Sequence, residues 1–120
     1  MRIDQPTVQG SLTATGDITA YYSSDRRLKE NIKPIEDATE KIKKIGGYEF
    51  DWKPNDNPEM IHEGHDIGVI AQEIEAVLPE IVQERDNGYK AVEYQKLVAL
   101  LIESNKELAA RVDELENKLK

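Results

Sequence analysis

From Gln95 to Lys120 the chain holds no glycine and no proline, and a heptad fits the whole stretch. Val98, Asn105, Val112 and Leu119 fall at a, and Tyr94, Leu101, Leu108 and Leu115 fall at d. Apolar residues on this repeat make one narrow stripe along a helix, which is buried by packing against another such helix. The flanks agree with that reading. Leu97 and Ile102 widen the stripe near its start, and Arg111 at g is followed by Glu116 at the next e, opposite in sign, as suits an interchain pair in a parallel coil. Leu100, at c, lies off the seam and is expected to pack back on the rest of the chain. A helix merely docked on its own domain is disfavoured, because the stripe is too narrow and its sides too uniformly charged. The stripe does not set the strand number. Val at a with Leu at d leans towards two strands, and Asn105 specifies register at some cost in stability.

A seam of this kind matters because the remaining sequence can bury little by itself. The 120 residues fit one modest domain, 38% of them are apolar and 33% charged, and a small domain with that balance often relies on partner subunits for burial. The net charge of −8 repels phosphate backbones and no basic stripe with interleaved aromatics offsets it, so nucleic acid is not an expected partner. Cysteine is absent, which leaves no disulfide framework and no thiolate metal site. No apolar run approaches the ~18 residues of a membrane-spanning helix, and no signal-peptide pattern opens the chain. The strand-like polar sequence directly after Met1 suggests a start inside a longer protein.

Three regions are expected. Residues 1–23 contain VQGSLTATGDITAYY, in which Val8, Leu12 and Ile18 are the only large aliphatic residues and Gly10 and Gly16 punctuate short strands. Such strands cannot bury a core and would have to pair with other chains, as at the end of a fibre. Residues 24–94 read as α+β. Ile35, Ala38, Ile42 and Ile45 share a helical face that Gly46-Gly47 ends; Tyr48–Trp52 alternates as a half-buried strand and the simplest core; residues 67–70 form a short strand. Ile74, Val77 and Leu78 give a second helix stopped by Pro79, and residues 81–94 form a hairpin around Asp86-Asn87-Gly88. Residues 95–120 are the coiled-coil helix.

The densest chemical signal lies at residues 23–32, SSDRRLKENI. A serine attacks a carbonyl only if a base removes its proton, and a lysine can be that base once burial or neighbours disfavour its ammonium form. Ser24 and Lys29 are near enough in sequence for a turn to join them. The bland alternative is an N-cap, in which Ser24 or Asp25 accepts a backbone N–H, and residue chemistry alone favours it. His62-Glu63-Gly64-His65-Asp66 lacks the spacing of a zincin helix and reads as a solvated loop, so no metal or other cofactor is expected.

The order of segments adds to this. SDRRLKENI, YEFDW, GVIAQEIEAVLPEIV and VEYQKLVALLIE, followed by a terminal coiled coil, resemble the intramolecular chaperone autoprocessing (peptidase S74) domain of phage tailspikes and tail fibres. The resemblance covers about Ala20 to Leu119. It implies a homotrimer that registers upstream β-structured fibre segments, then a Ser–Lys dyad that cuts each chain and releases the chaperone. On this sequence Ser24 matches the nucleophile, Lys29 the general base, and Ser23–Ser24 the scissile bond. Asp25 matches the motif acid and is expected to orient the turn or the lysine; Arg27, Leu28 and Asn31 match positions expected to be structural. The implied setting is a virion tail fibre precursor assembled in the host cytoplasm. The alternative is a trimerisation module that keeps the fold and never cuts.

Overall fold

The structure is a computed structural model and describes Thr7, residues 10–54 and residues 62–120. Among these, residues 33–53 and 63–120 form one compact unit, and Thr7, residues 10–32, Pro54 and His62 belong to another.

The larger unit is α+β. Its elements run α1 (Ala38–Lys43), β1 (Tyr48–Asp51), β2 (His65–Gly68), α2 (Ala71–Val77), β3 (Val82–Glu84), β4 (Lys90–Val92) and α3 (Leu97–Lys118). Short 3₁₀ turns precede β3 and α3, at Pro79–Ile81 and Tyr94–Lys96. The strands make two separate antiparallel pairs, β1 with β2 (Tyr48 opposite Gly68, Asp51 opposite His65) and β3 with β4 (Val82 opposite Val92). The hairpin expected at residues 81–94 is this second pair. Its turn closes with Gly88 N–H donating to the Arg85 carbonyl at 2.8 Å, and Gly88 takes φ 85°, a conformation that costs glycine little.

The core is made by helices and not by the aromatic strand. Ala38, Ile74 and Leu100 are wholly buried, with Leu78 and Ile81 beside them, and Ile35, Ile42, Ile45 and Val69 pack against this group. Leu100 therefore does what its off-seam position predicts. Trp52 and Tyr48 remain more than a third exposed, and Phe50 meets Trp52 edge to face with centroids 5.0 Å apart. A two-stranded sheet has little to cover its faces, so these rings shield one another and do not form a centre.

Helix boundaries depart from the sequence reading for local reasons. Asp37 adopts a left-handed backbone (φ 53°), so α1 begins only at Ala38 and Ile35 packs from outside it. The helix has already ended at Lys44, short of Gly46. Gly46 serves a close approach instead. A Cβ there would lie 2.6 Å from the Tyr48 ring, whose hydroxyl donates to Glu73 (2.7 Å), and the other Glu73 oxygen accepts the Gly46 N–H (3.0 Å).

Helix α3 docks along its first half, through more residues than the Leu100 that the sequence reading singled out. Leu100 and Ser104 are buried against α1, and the Thr39 hydroxyl lies 3.1 Å from the Ser104 hydroxyl. Glu107 caps α1 from α3, its two carboxylate oxygens accepting the N–H groups of Thr39 (2.9 Å) and Ala38 (3.0 Å). These bonds to Thr39 first, then to Ala38, together with the Lys41 charge, hold the Glu107 carboxyl below its usual pKa. A carboxyl depressed in the fold stabilises it above the carboxylate's ordinary range, about 4, and that stability is lost as pH falls through the folded value. Glu107→Gln offers one acceptor oxygen to two donors. It is expected to lower the thermal midpoint at neutral pH, and its deficit against wild type should shrink as the pH of the melt is taken below about 4.

Beyond Glu107 every residue of α3 is exposed. Val98, Leu101, Leu108, Val112 and Leu115 are each about half exposed, at 49–55%. At about 100° per residue, the docked stripe (Leu97, Leu100, Ser104, Glu107) and the heptad stripe lie roughly 100° apart round the helix. One helix thus carries two faces, the first used by its own core and the second facing outward.

In the other unit, the described residues 10–23 form no strand within one chain and are exposed. A strand needs a neighbour to bond, and a stretch holding Leu12 and Ile18 as its large aliphatics among the described residues cannot bury one of its own. Val8 lies outside the described residues.

Candidate active site

Residues 24–31 are built around one 3₁₀ turn, Arg26–Leu28. Its hydrogen bonds run from Leu28 N–H to the Asp25 carbonyl and from Lys29 N–H to the Arg26 carbonyl, both 3.1 Å. Asp25 is the N-cap, extended at φ −63°, ψ 133°, and its Oδ1 accepts the Arg27 N–H at 2.8 Å. The cap that residue chemistry favours is therefore present, but Asp25 supplies it.

That assignment releases the serine. Lys29 Nζ donates to Ser24 Oγ at 2.9 Å. Fully extended, residues five apart can stand ~17 Å from one another; the turn shortens the span, and the extended Lys29 backbone (φ −120°, ψ 145°) sends the long side chain back along it. Ser23 lies immediately upstream, so its carbonyl carbon is the electrophile nearest to Ser24 along the chain. Ser23, Ser24, Asp25 and Lys29 are all exposed.

Arg27 is the member of the motif that sequence reasoning undervalued. Its Nε and Nη2 donate to the two Asp25 oxygens at 3.1 and 2.9 Å, a two-pronged pair within one turn. The Arg27 guanidinium, and then the Arg27 N–H, hold the Asp25 carboxyl below the usual aspartate range. The signal was present as an Asp followed two residues later by an Arg at a turn. Asn31 contributes through its backbone. It sits at φ 56°, which asparagine tolerates better than most residues, and bends the chain after Lys29.

The His62–Asp66 stretch is not the solvated loop expected at its second histidine. His65 opens β2, and its ring nitrogens lie 3.0 Å from Asp51 Oδ1 and 3.2 Å from Glu49 Oε1 on the paired strand. Asp66 accepts the Trp52 indole N–H at 3.0 Å. These are cross-strand contacts that fix the β1–β2 register. Among the described residues no group of three His, Cys, Asp or Glu is placed to hold a metal ion, and no helix is long and apolar enough to cross a membrane.

Comparisons with known proteins meet this geometry at Ser24. The family described as chaperone of endosialidase, Peptidase S74, matches residues 24–83. A long tail fiber protein Gp37 of Enterobacteria phage K3 is 43% identical over 103 residues, which is 82% of this chain and 8% of that protein. The Gp37 of Salmonella phage S16 is 33% identical over 95% of this chain and 16% of its own length. A myelin gene regulatory factor-like protein of Dictyostelium discoideum is 28% identical over 94% of this chain and 14% of that protein. The chain thus spans a small part of the curated relatives it matches.

Proposed function

The chain belongs to the chaperone-of-endosialidase (Peptidase S74) family, and from that premise we propose that it is an assembly chaperone of a phage tail fibre that trimerises through α3 and then cuts itself between Ser23 and Ser24. The observation that carries the cutting is the 2.9 Å bond from Lys29 to Ser24, made while Asp25 takes the cap. The family match opening at residue 24 supports the same boundary. The half-exposed heptad stripe, continuing where α3 has left its own core, supports assembly through that face.

The chemistry follows from the order of atoms. Neutral Lys29 Nζ takes the Ser24 hydroxyl proton as Oγ bonds the Ser23 carbonyl carbon, forming a cyclic tetrahedral adduct. The proton passes to the Ser24 nitrogen as the Ser23–Ser24 C–N bond breaks. An ester of the Ser23 carboxyl on Ser24 Oγ remains, beside a free Ser24 amine. Water attacks that ester, releases the Ser23 carboxylate and restores the hydroxyl. Asp25 holds the turn, and Asn31 sets the exit of the chain. The pair is exposed in the single chain, so packing of further copies around it withdraws water and disfavours the ammonium form. Cleavage then reports assembly. The client is the upstream fibre structure, its setting a virion tail fibre precursor in the host cytoplasm, and separation after folding leaves the fibre kinetically trapped.

Intact mass under denaturing conditions, with light scattering on the native sample, tests this reading. Wild type is expected to resolve into residues 1–23 and 24–120, with Ser24→Ala whole. Trimers in which both proteins stay whole would leave a pure assembly module and end the protease assignment.

A further inference from the structure

We infer that Arg27 is a positioning residue for Ser24, acting through Asp25: by pinning the Asp25 carboxylate in the cap of the Arg26–Leu28 turn, it keeps the Ser24 hydroxyl from taking that place and leaves it to Lys29. The functional weight of this inference rests on the proposed Ser–Lys cleavage.

The argument is one of competition. The first N–H groups of a helical turn lack carbonyl partners within it and are taken by whichever short polar side chain stands at its start. Two candidates stand there, the Ser24 hydroxyl and the Asp25 carboxylate. A serine that caps spends its hydroxyl on the backbone and points away from a lysine five residues on. The structure shows the other outcome, with Asp25 Oδ1 on the Arg27 N–H and Ser24 on Lys29. What decides between them is the second use of Asp25. Its two oxygens also face the Arg27 guanidinium at 3.1 and 2.9 Å, a planar two-point match that fixes the carboxylate's orientation as well as its charge. The same residue thus supplies the N–H that is capped and the cation that holds the cap. The pair is exposed, at 89% for the Arg27 side chain and 46% for Asp25, so its effect is modest and salt-sensitive.

Single-turnover cleavage of the full chain, followed by intact mass at low salt and at about 1 M salt, tests this, with thermal midpoint and light scattering run on each variant. Arg27→Met is expected to slow cleavage about threefold at low salt, the size of an exposed ion pair, with unchanged midpoint and assembly. Arg27→Lys should recover part of the loss. Asp25→Asn keeps an oxygen for the Arg27 N–H but loses the pair, and should match Arg27→Met. The double variant should be no slower than either single one, because both remove the same interaction. At about 1 M salt, where the screening length is about 3 Å, wild type should approach the variants. Losses that multiply in the double variant, or that persist undiminished at high salt, overturn the inference. If wild type does not cleave, that failure belongs to the proposed autoproteolysis, and a second measurement decides the role of Arg27. The nuclear Overhauser contact between Lys29 Hε and Ser24 Hβ in the full chain should weaken in Arg27→Met. Its survival at wild-type intensity would show that Arg27 does not position the serine.

Discussion

Lys29→Arg is expected to slow self-cleavage by about a thousandfold while leaving assembly and thermal midpoint unchanged. The magnitude is that of general base catalysis, about 10² to 10⁴. Arginine keeps the charge and can still donate to Ser24 Oγ, so the 2.9 Å contact that Lys29 makes there has a counterpart in the variant. It cannot accept a proton, because its guanidinium stays ionised throughout the usable pH range. A lysine that only held the serine in place would be replaced by arginine at small cost. A lysine that removes the serine proton would not. Intact mass against time on wild type and variant measures the difference. An arginine variant that cuts within a few-fold of wild type would remove Lys29 from the mechanism.

What could be foreseen here separates by the range of the interaction. Periodicity gave α3, because a stretch without glycine or proline and with a heptad has few other ways to fold, and it gave Leu100 its place in the core. The turn chemistry of Asp86-Asn87-Gly88 likewise gave the β3–β4 hairpin, a matter of a few residues. Glu107 was not legible. Its carboxylate caps a helix more than sixty residues away in the chain, since Ala38 and Thr39 meet it only after α1 and α3 have packed. The aromatic strand misled for the opposite reason. Tyr48, Phe50 and Trp52 alternate as a half-buried strand should, but pattern cannot tell a strand inside a broad sheet from one in a bare pair. At the candidate site, local chemistry alone named the cap and left open which residue made it. Only the geometry separates Asp25 from Ser24, and the difference decides whether a nucleophile is free.

Changing Leu101 and Leu108 together to Asp is expected to turn assembled wild type into monomers that remain folded and do not cut. Both leucines lie on the outward stripe of α3, at 55% and 49% exposure, and neither belongs to the buried cluster around Leu100. The substitution therefore spares the chain's own core, which is why the monomer should keep its far-ultraviolet spectrum. Fully burying a leucine is worth about 1.5–3 kcal/mol, and about half of each side chain is still available to a partner, so the paired changes in a trimer remove on the order of 6 kcal/mol before any charge is counted. That is about four orders of magnitude in the assembly constant. The carboxylates add to the loss, because they would be desolvated beside one another with no cation on the seam to pair them. Cleavage connects this to the site. If packing of copies dries the Ser24–Lys29 pair and so frees the lysine, then a folded monomer has an intact dyad in water and stays whole. Light scattering and intact mass on one sample read both steps. Monomers that cut at the wild-type rate would mean that the turn alone suffices and that assembly does not gate the chemistry. Trimers that persist despite the aspartates would move the assembly face off the heptad stripe.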